Sequence, residues 1–196
     1  MIDAANLRDL VREAYSSAAA DPTSKHPFPV GRAYAESVGY PGELLDSIPT
    51  TAVDGFAGVS SVSLFAEIAE GGTVLDLGCG AGLDSLVAAR RAGPNGKVYG
   101  VDFSPDMLAR ARSAAADAGL GNLELRQADA EHLPFPDASV DVALVNGIFN
   151  LNPNRATMFR ELARVVRPGG SVFCAELILI EPLPETDQAC PMNWFA

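Results

Sequence analysis

Cysteine, histidine and positive charge are scarce in this 196-residue chain. The three cysteines, at positions 79, 174 and 190, are too few and too irregularly spaced for a disulfide framework, and none forms a C-x-x-C metal or redox pair. That excludes a disulfide scaffold and a thiolate metal centre, and it points to a reducing cytoplasm. Lysine and arginine total 14 against 25 aspartates and glutamates, a formal net charge of -11. Such a field repels phosphate backbones and anionic headgroups, so neither nucleic acid nor a membrane surface is an expected partner. No apolar run approaches the roughly 20 residues that cross a bilayer. The stretch Met1 to Leu10 carries charges throughout and lacks the continuous apolar segment of a signal peptide. What is present is 48% hydrophobic and 20% charged residues, enough for one domain with a full core.

Leu7, Leu10, Val11, Ala14, Tyr15 and Ala18 recur at three- and four-residue spacing, which predicts an amphipathic helix over the first twenty residues. Three prolines between Asp21 and Pro29 predict a loop after it. Further helices are expected from Gly31 to Val38, from Gly42 to Ile48 and from Ser60 to Ala69. From residue 73 strand and helix patterns alternate, which argues for an α/β fold with a mainly parallel sheet. The expected strands are 73–77, 97–101, 123–127, 140–146 and 171–180, and the expected helices are 82–92, 105–118 and 154–166. Gly93 to Gly96 and Arg167 to Gly170 read as turns. The chain divides into an N-terminal helical extension or lid, residues 1–70, and a core, residues 71–196.

The chemistry centres on Thr73-Val-Leu-Asp-Leu-Gly-Cys-Gly-Ala-Gly-Leu-Asp84, an apolar strand running into a glycine-rich turn. Gly78, Gly80 and Gly82 let the backbone turn sharply and approach a ligand. A dinucleotide fingerprint places its third glycine three positions after the second, where Leu83 stands here, so a nucleotide-dependent oxidoreductase is disfavoured. Asp102, ending the second strand, lies at the distance where a carboxylate takes both hydroxyls of a ribose and rejects a 2'-phosphate. Asp76, inside an otherwise apolar strand, calls for a buried hydrogen-bonding role, because an unpaired carboxylate there is unfavourable. Cys79 reads as a small buried residue.

With these residues in view, the sequence resembles the class I S-adenosylmethionine-dependent methyltransferases. Val74 to Gly82, Gly100 to Met107, Asp129 to Pro136, Ser139 to Asp141 and Arg164 to Gly170 stand in the order that family shows. The resemblance implies the Rossmann-like class I sandwich, with S-adenosyl-L-methionine as cofactor and a small-molecule methyl acceptor. It implies that Gly78, Gly80 and Gly82 cradle the methionine moiety and that Asp102 holds the ribose. It further implies Phe103 and Met107 near the adenine, and Asp129 with Ala130 at the adenine amino edge. Asp76 joins this set. Met107 serves either the adenine or plain core packing, and Asn146 either orients a ligand or caps a turn. His132, in the loop after Asp129, has the reference pKa of a general base, but the resemblance gives that loop to the adenine pocket. Tyr15 and His26 belong to the extension. No catalytic side chain and no metal ligand are identified.

Gly39 to Leu45 and Asn146 to Pro153 resemble the arsenite methyltransferase branch. That branch binds trivalent arsenic through thiolates. Here Gly147 replaces the cysteine after the strand-four asparagine, and Asp54 to Ser60 lacks the one expected before the core. An organic acceptor is therefore expected, with an arsenite enzyme or a cofactor binder without catalysis as alternatives. The class continues after strand five with a helix and an antiparallel strand pair, and residues 181–196 are too few for both. That leaves strand five, with Leu177 to Ile180, as an apolar edge, and predicts a homo-oligomer through it.

Overall fold

Beyond residue 72 the alternating apolar and amphipathic segments build one five-stranded, all-parallel sheet in the order β3-β2-β1-β4-β5. The computed structural model describes residues 4–181, with side chains from residue 7 onward. The strands are β1 (Thr73–Leu77), β2 (Lys97–Asp102), β3 (Leu123–Gln127), β4 (Val140–Asn146) and β5 (Val166–Ala175). The chain first steps outward from β1 through β2 to β3, then returns to the other side of β1. The carboxyl ends of β1 and β4 therefore flank the point where the direction reverses, which is where open parallel sheets leave a crevice.

Successive side chains of β1 and β4 point to opposite faces. Val74, Val142 and Leu144 pack with Ala88, Ala89 and Ala92 of α6 (Leu83–Ala92). Leu75, Leu77 and Val145 pack with Met158, Leu162 and Val165 of α8 (Arg155–Val165). Both faces are covered, so the central strands carry almost uninterrupted apolar residues. The helix α7 (Pro105–Ala118) shows the local signals that bound it: the Ser104 hydroxyl accepts from the Met107 amide at 3.3 Å, Pro105 takes the first position, and Gly119 closes it in the left-handed region.

The preceding region forms α1 (Ala4–Ala20), α2 (Arg32–Ser37), α3 (Gly42–Asp46), α4 (Thr50–Asp54) and α5 (Val62–Phe65). Tyr40, Leu45, Ile48, Val53 and Phe56 bury themselves against Leu83, Leu86, Val87 and Ala114, so these short helices sit on α6 and α7. Arg110 of α7 ties them down, donating to Thr51 O at 3.0 Å and to Ala19 O at 3.0 Å.

Three expectations change. The helix over 60–69 is only α5, because Val59 and Ser60 are held by the Asn146 side chain and the backbone turns extended at Ala66. A short helix at 50–54, which the sequence reading left out, follows Pro49. Arg167 to Gly170 do not precede β5 but fall inside it, where four residues stand opposite Asp141 alone in a register shift between Val140 and Val142. There the Asp141 carboxylate accepts from the Thr73 amide at 2.6 Å and from the Arg167 guanidinium, and no side chain fits at Gly170, where a Cβ would lie 2.6 Å from Asp141 O. Pro168 is tolerated because β5 is the edge strand. β5 ends at Ala175, opposite the last residue of β4, so among the described residues Leu177 to Ile180 pair with no strand, with Ile178 83% and Ile180 95% exposed.

Candidate cofactor and acceptor site

The turn from Gly78 to Gly82 lies over the carboxyl end of the sheet, tied to β2 by the Gly78 and Cys79 amides, which donate to Val101 O at 2.8 and 3.0 Å. At Gly80, φ is +52° and the space a side chain would fill is open. The turn thus presents bare backbone to an adjoining cavity of about 1010 Å³. At Gly78, by contrast, a Cβ would stand 2.5 Å from the Ile148 side chain, so glycine there lets the loop after β4 close in.

Asp102 anchors the turn. Its carboxylate accepts from the Gly80 amide at 2.8 Å and from the Ser104 amide at 2.8 Å, and it is 8% exposed. Burial pushes its pKa up, and these amides work against the rise. Asp76, 1% exposed, accepts from the Ser85 hydroxyl at 2.5 Å. Burial first, and the neighbouring charge of Asp84 second, raise its pKa well above the ordinary carboxylate range. Asp84 is buried and accepts from the Tyr40 hydroxyl, from the Ser63 amide at 2.9 Å and from the Asn146 amide group at 2.8 Å. Among the described residues no lysine or arginine pairs with any of these three carboxylates.

The residues that the sequence assigns to the cofactor all border this one cavity: Asp76, Gly78, Gly80, Gly82, Asp102, Phe103, Met107, Asp129, Ala130 and Asn146. Phe103 offers a partly exposed ring, whereas Met107 also packs on Ala18, Phe28 and Ala81. Asn146 is fully committed to protein groups. Its oxygen accepts from the Val59 and Ser60 amides at 2.8 and 3.1 Å, and its nitrogen donates to Ser60 O at 2.7 Å and to Asp84. His26 and His132 are not part of the wall. The burial of Cys79 pushes its thiol well up, keeping it protonated.

The sequence reading passed over Asp84 and Arg8, both in the wall. The signal for Asp84 is its place two residues past the last glycine, at the first turn of α6. Tyr15 stacks on Phe28 at 4.4 Å and also lines the cavity. Burial, then the charges of Asp102 and Glu176, push its hydroxyl far up, so it stays protonated. The arrangement suits a ligand that carries positive charge and adjacent hydroxyls, bound between a glycine turn and a helical roof.

The family described as a methyltransferase domain matches residues 68–193. The chain belongs to that family. This methyltransferase-domain chain is 39% identical over 157 residues to an arsenite methyltransferase of Halobacterium salinarum, covering 80% of the chain and 40% of that protein. It is 38% identical over 110 residues to a demethylmenaquinone methyltransferase of Geobacillus kaustophilus, covering 56% and 47%. The chain therefore spans less than half the length of the curated relatives it matches. Among solved structures, an arsenic(III) S-adenosylmethionine methyltransferase of Chlamydomonas reinhardtii superimposes with a TM-score of 0.64 at 31% identity, covering 85% of this chain and 55% of that one. A SAM-dependent methyltransferase from Aquifex aeolicus does so with a TM-score of 0.54 at 27% identity, covering 62% and 66%. The methyltransferase fold reading of the sequence stands.

At the position where the resemblance to the arsenite branch leads one to expect a thiol, the chain has Gly147 with φ +79°, and a Cβ there would lie 3.0 Å from the Val59 side chain. At Gly58 a Cβ would stand 2.4 Å from the Asn146 amide. Both places are closed against a larger residue. Cys174 lies exposed on β5, and Cys190 falls outside the described residues.

Proposed function

We propose that the chain transfers a methyl group from S-adenosyl-L-methionine to a small organic acceptor. The observation that carries this reading is that Asp76, Asp84 and Asp102, all buried, line the same cavity as the glycine turn, and no lysine or arginine among the described residues pairs with them. S-adenosylmethionine brings an ammonium, a sulfonium and a ribose diol, and the donor set fits each of them. When bound, it would supply a methyl carbon activated by the positive sulfur, to which an acceptor lone pair would bond in line as the carbon–sulfur bond breaks, the sulfur leaving as a neutral thioether and any acceptor proton being released.

The chain's own residues then position and exclude water. Asp102 addresses the two ribose hydroxyls, and Phe103, Ala130 and Asp129 frame the adenine. Gly78, Gly80 and Gly82 would let the backbone approach the methionine moiety, and Asp76 and Asp84 would supply the negative field for its ammonium. Asn146 does not reach for the ligand itself; it pins Val59 and Ser60 so that the acceptor end keeps its shape. Residues 1–70 act as an extension and lid over the core, with α1 as the roof. The closed contacts at Gly58 and Gly147 favour a carbon, oxygen or nitrogen acceptor over arsenite.

Two wider readings accompany this one. The free thiols of Cys79 and Cys174 suit a cytoplasmic setting. The bare edge of β5, with Leu177 to Ile180 beside it, suits a homodimer or larger assembly through that edge.

Calorimetry with S-adenosylmethionine, S-adenosylhomocysteine and NAD tests the cofactor, and transfer of labelled methyl into an acceptor library that includes arsenite tests the reaction. Binding of the two sulfur cofactors with turnover of an organic acceptor is expected. Binding without turnover of any acceptor would reduce the chain to a cofactor binder, and NAD binding alone would end the reading.

A further inference from the structure

The roof of the cavity is held at its two ends by different means. At its carboxyl end α1 is packed down: Ala18 and Ala19 are buried with Phe28, Ala81 and Met107, and Arg110 donates to Ala19 O at 3.0 Å. Toward its amino end Arg8 reaches to the loop after β3, where it donates to the Glu131 carboxylate and lies 3.4 Å from Asp129 Oδ2. Glu131 is 6% exposed, and its other oxygen accepts from the Asn154 amide group at 2.8 Å, so this end of the bridge rests on a fixed, buried carboxylate. Asp129 is nearly half exposed and is held otherwise by the Glu131 amide at 2.9 Å. Arg8, Val11, Arg12 and Tyr15 all face the cavity whose floor is the glycine turn.

We propose that Arg8 is a latch, a positioning residue that closes α1 over the methyl donor by pairing with Glu131 and Asp129. The inference rests on the reading of the cavity as the S-adenosylmethionine site. Asp129 makes the latch responsive to occupancy. It faces both Arg8 and the adenine end, so an exocyclic amino group that takes Asp129 leaves Arg8 on Glu131 alone, and the roof stays shut over the ligand. In the ligand-free chain the same latch slows access. Arg8 thereby sets the exchange rate of the donor and its product more than their affinity.

The test is the binding kinetics of S-adenosylhomocysteine, followed by surface plasmon resonance, for the wild type and for Arg8→Ala, Arg8→Lys and Glu131→Gln. Opening the latch is expected to speed association and dissociation together, each by roughly fivefold, on the scale of one half-buried ion pair, with the Kd little changed. Arg8→Lys restores most of the slow exchange. Faster dissociation alone is the mark of a lost ligand contact and would overturn the proposal, as would unchanged rates. Should Arg8→Ala fail to fold, Glu131→Gln leaves α1 intact and carries the same expectation. Hydrogen exchange over residues 7–18 of the ligand-free protein is a second readout, faster in both variants than in the wild type. If the wild type binds no S-adenosylhomocysteine, the cofactor reading falls while the exchange measurement still decides the latch, and unchanged exchange would refute it.

Discussion

Asp102 holds the turn and faces the ligand with one carboxylate. Its two amide donors fix where both oxygens lie, and its remaining lone pairs are left for hydroxyls. Asp102→Ala removes the anchor of Gly80 together with that acceptor, and we expect S-adenosylhomocysteine affinity to fall by roughly 100-fold in calorimetry, as for loss of two charge-assisted hydrogen bonds. A fall within twofold would show that the carboxylate is structural only. The raised pKa values of Asp76 and Asp102 add a pH signature. A cationic ligand favours the ionised forms, so binding releases protons, and affinity falls as pH drops toward 3.8 from above. Calorimetry at about pH 5 and about pH 8, in buffers of different ionisation enthalpy, reads both effects. For the ligand-free fold the sign is opposite: the folded chain holds these protons longer than the unfolded one, so this contribution to stability is lost as pH rises through the raised values. Glu161 behaves the other way. Its carboxylate, held to about 2 first by Arg164, stabilises the fold above the ordinary 4.5 and ceases to as pH falls toward about 2. Glu161→Gln should therefore cost about 1 kcal/mol at neutral pH and nothing in strong acid, measured by thermal unfolding. Asp76 and Asp102 were legible in the sequence because a carboxylate in or ending an apolar strand needs a reason. Asp84 was not, since the first turn of a helix is where acidic residues ordinarily stand.

The elements that position the site were readable wherever local signals agreed with the tertiary fold. β1, β3, β4 and α7 fall where apolar runs, the Ser104 cap and Gly119 place them. β5 misled because Arg167 to Gly170 carries turn residues, while what decides its path is the Asp141 side chain on the neighbouring strand, a partner 26 residues away from Arg167. Leu177 to Ile180 has strand composition, but no strand among the described residues pairs with it. The loop before α5 is shaped the same way, by a distant amide. Asn146→Ala leaves the Val59 and Ser60 amides and one side of Asp84 without partners, and we expect a loss of about 3 kcal/mol in chemical denaturation. A loss under about 0.5 kcal/mol would mean that water replaces the amide freely.

For the molecule as a whole, the sheet's two edges differ. β3 runs beside β2 with polar residues such as Glu124 and Arg126, which pair with each other at 2.7 Å. β5 presents Val172 and is followed by Leu177, Ile178 and Ile180, all exposed. The proposed assembly through β5 predicts a dimer or larger species in light scattering, and Ile178→Lys is expected to shift it toward monomer. A wild type that scatters as a monomer at high concentration would remove that proposal without touching the site. The net charge of -11 is a sum over the whole chain, whereas the acids inside the cavity are local and buried, and only the latter speak about the ligand. The family and the fold are plain from both sequence and structure, and the acceptor is the point at which the chain's relatives themselves diverge. The central claim is that three buried carboxylates with no lysine or arginine partner among the described residues, lining one cavity with a glycine turn, hold S-adenosylmethionine. Isothermal titration of the wild-type protein with S-adenosylmethionine measures it directly: one site per chain, with proton release on binding, is the predicted result, and no heat of binding up to millimolar cofactor would contradict it.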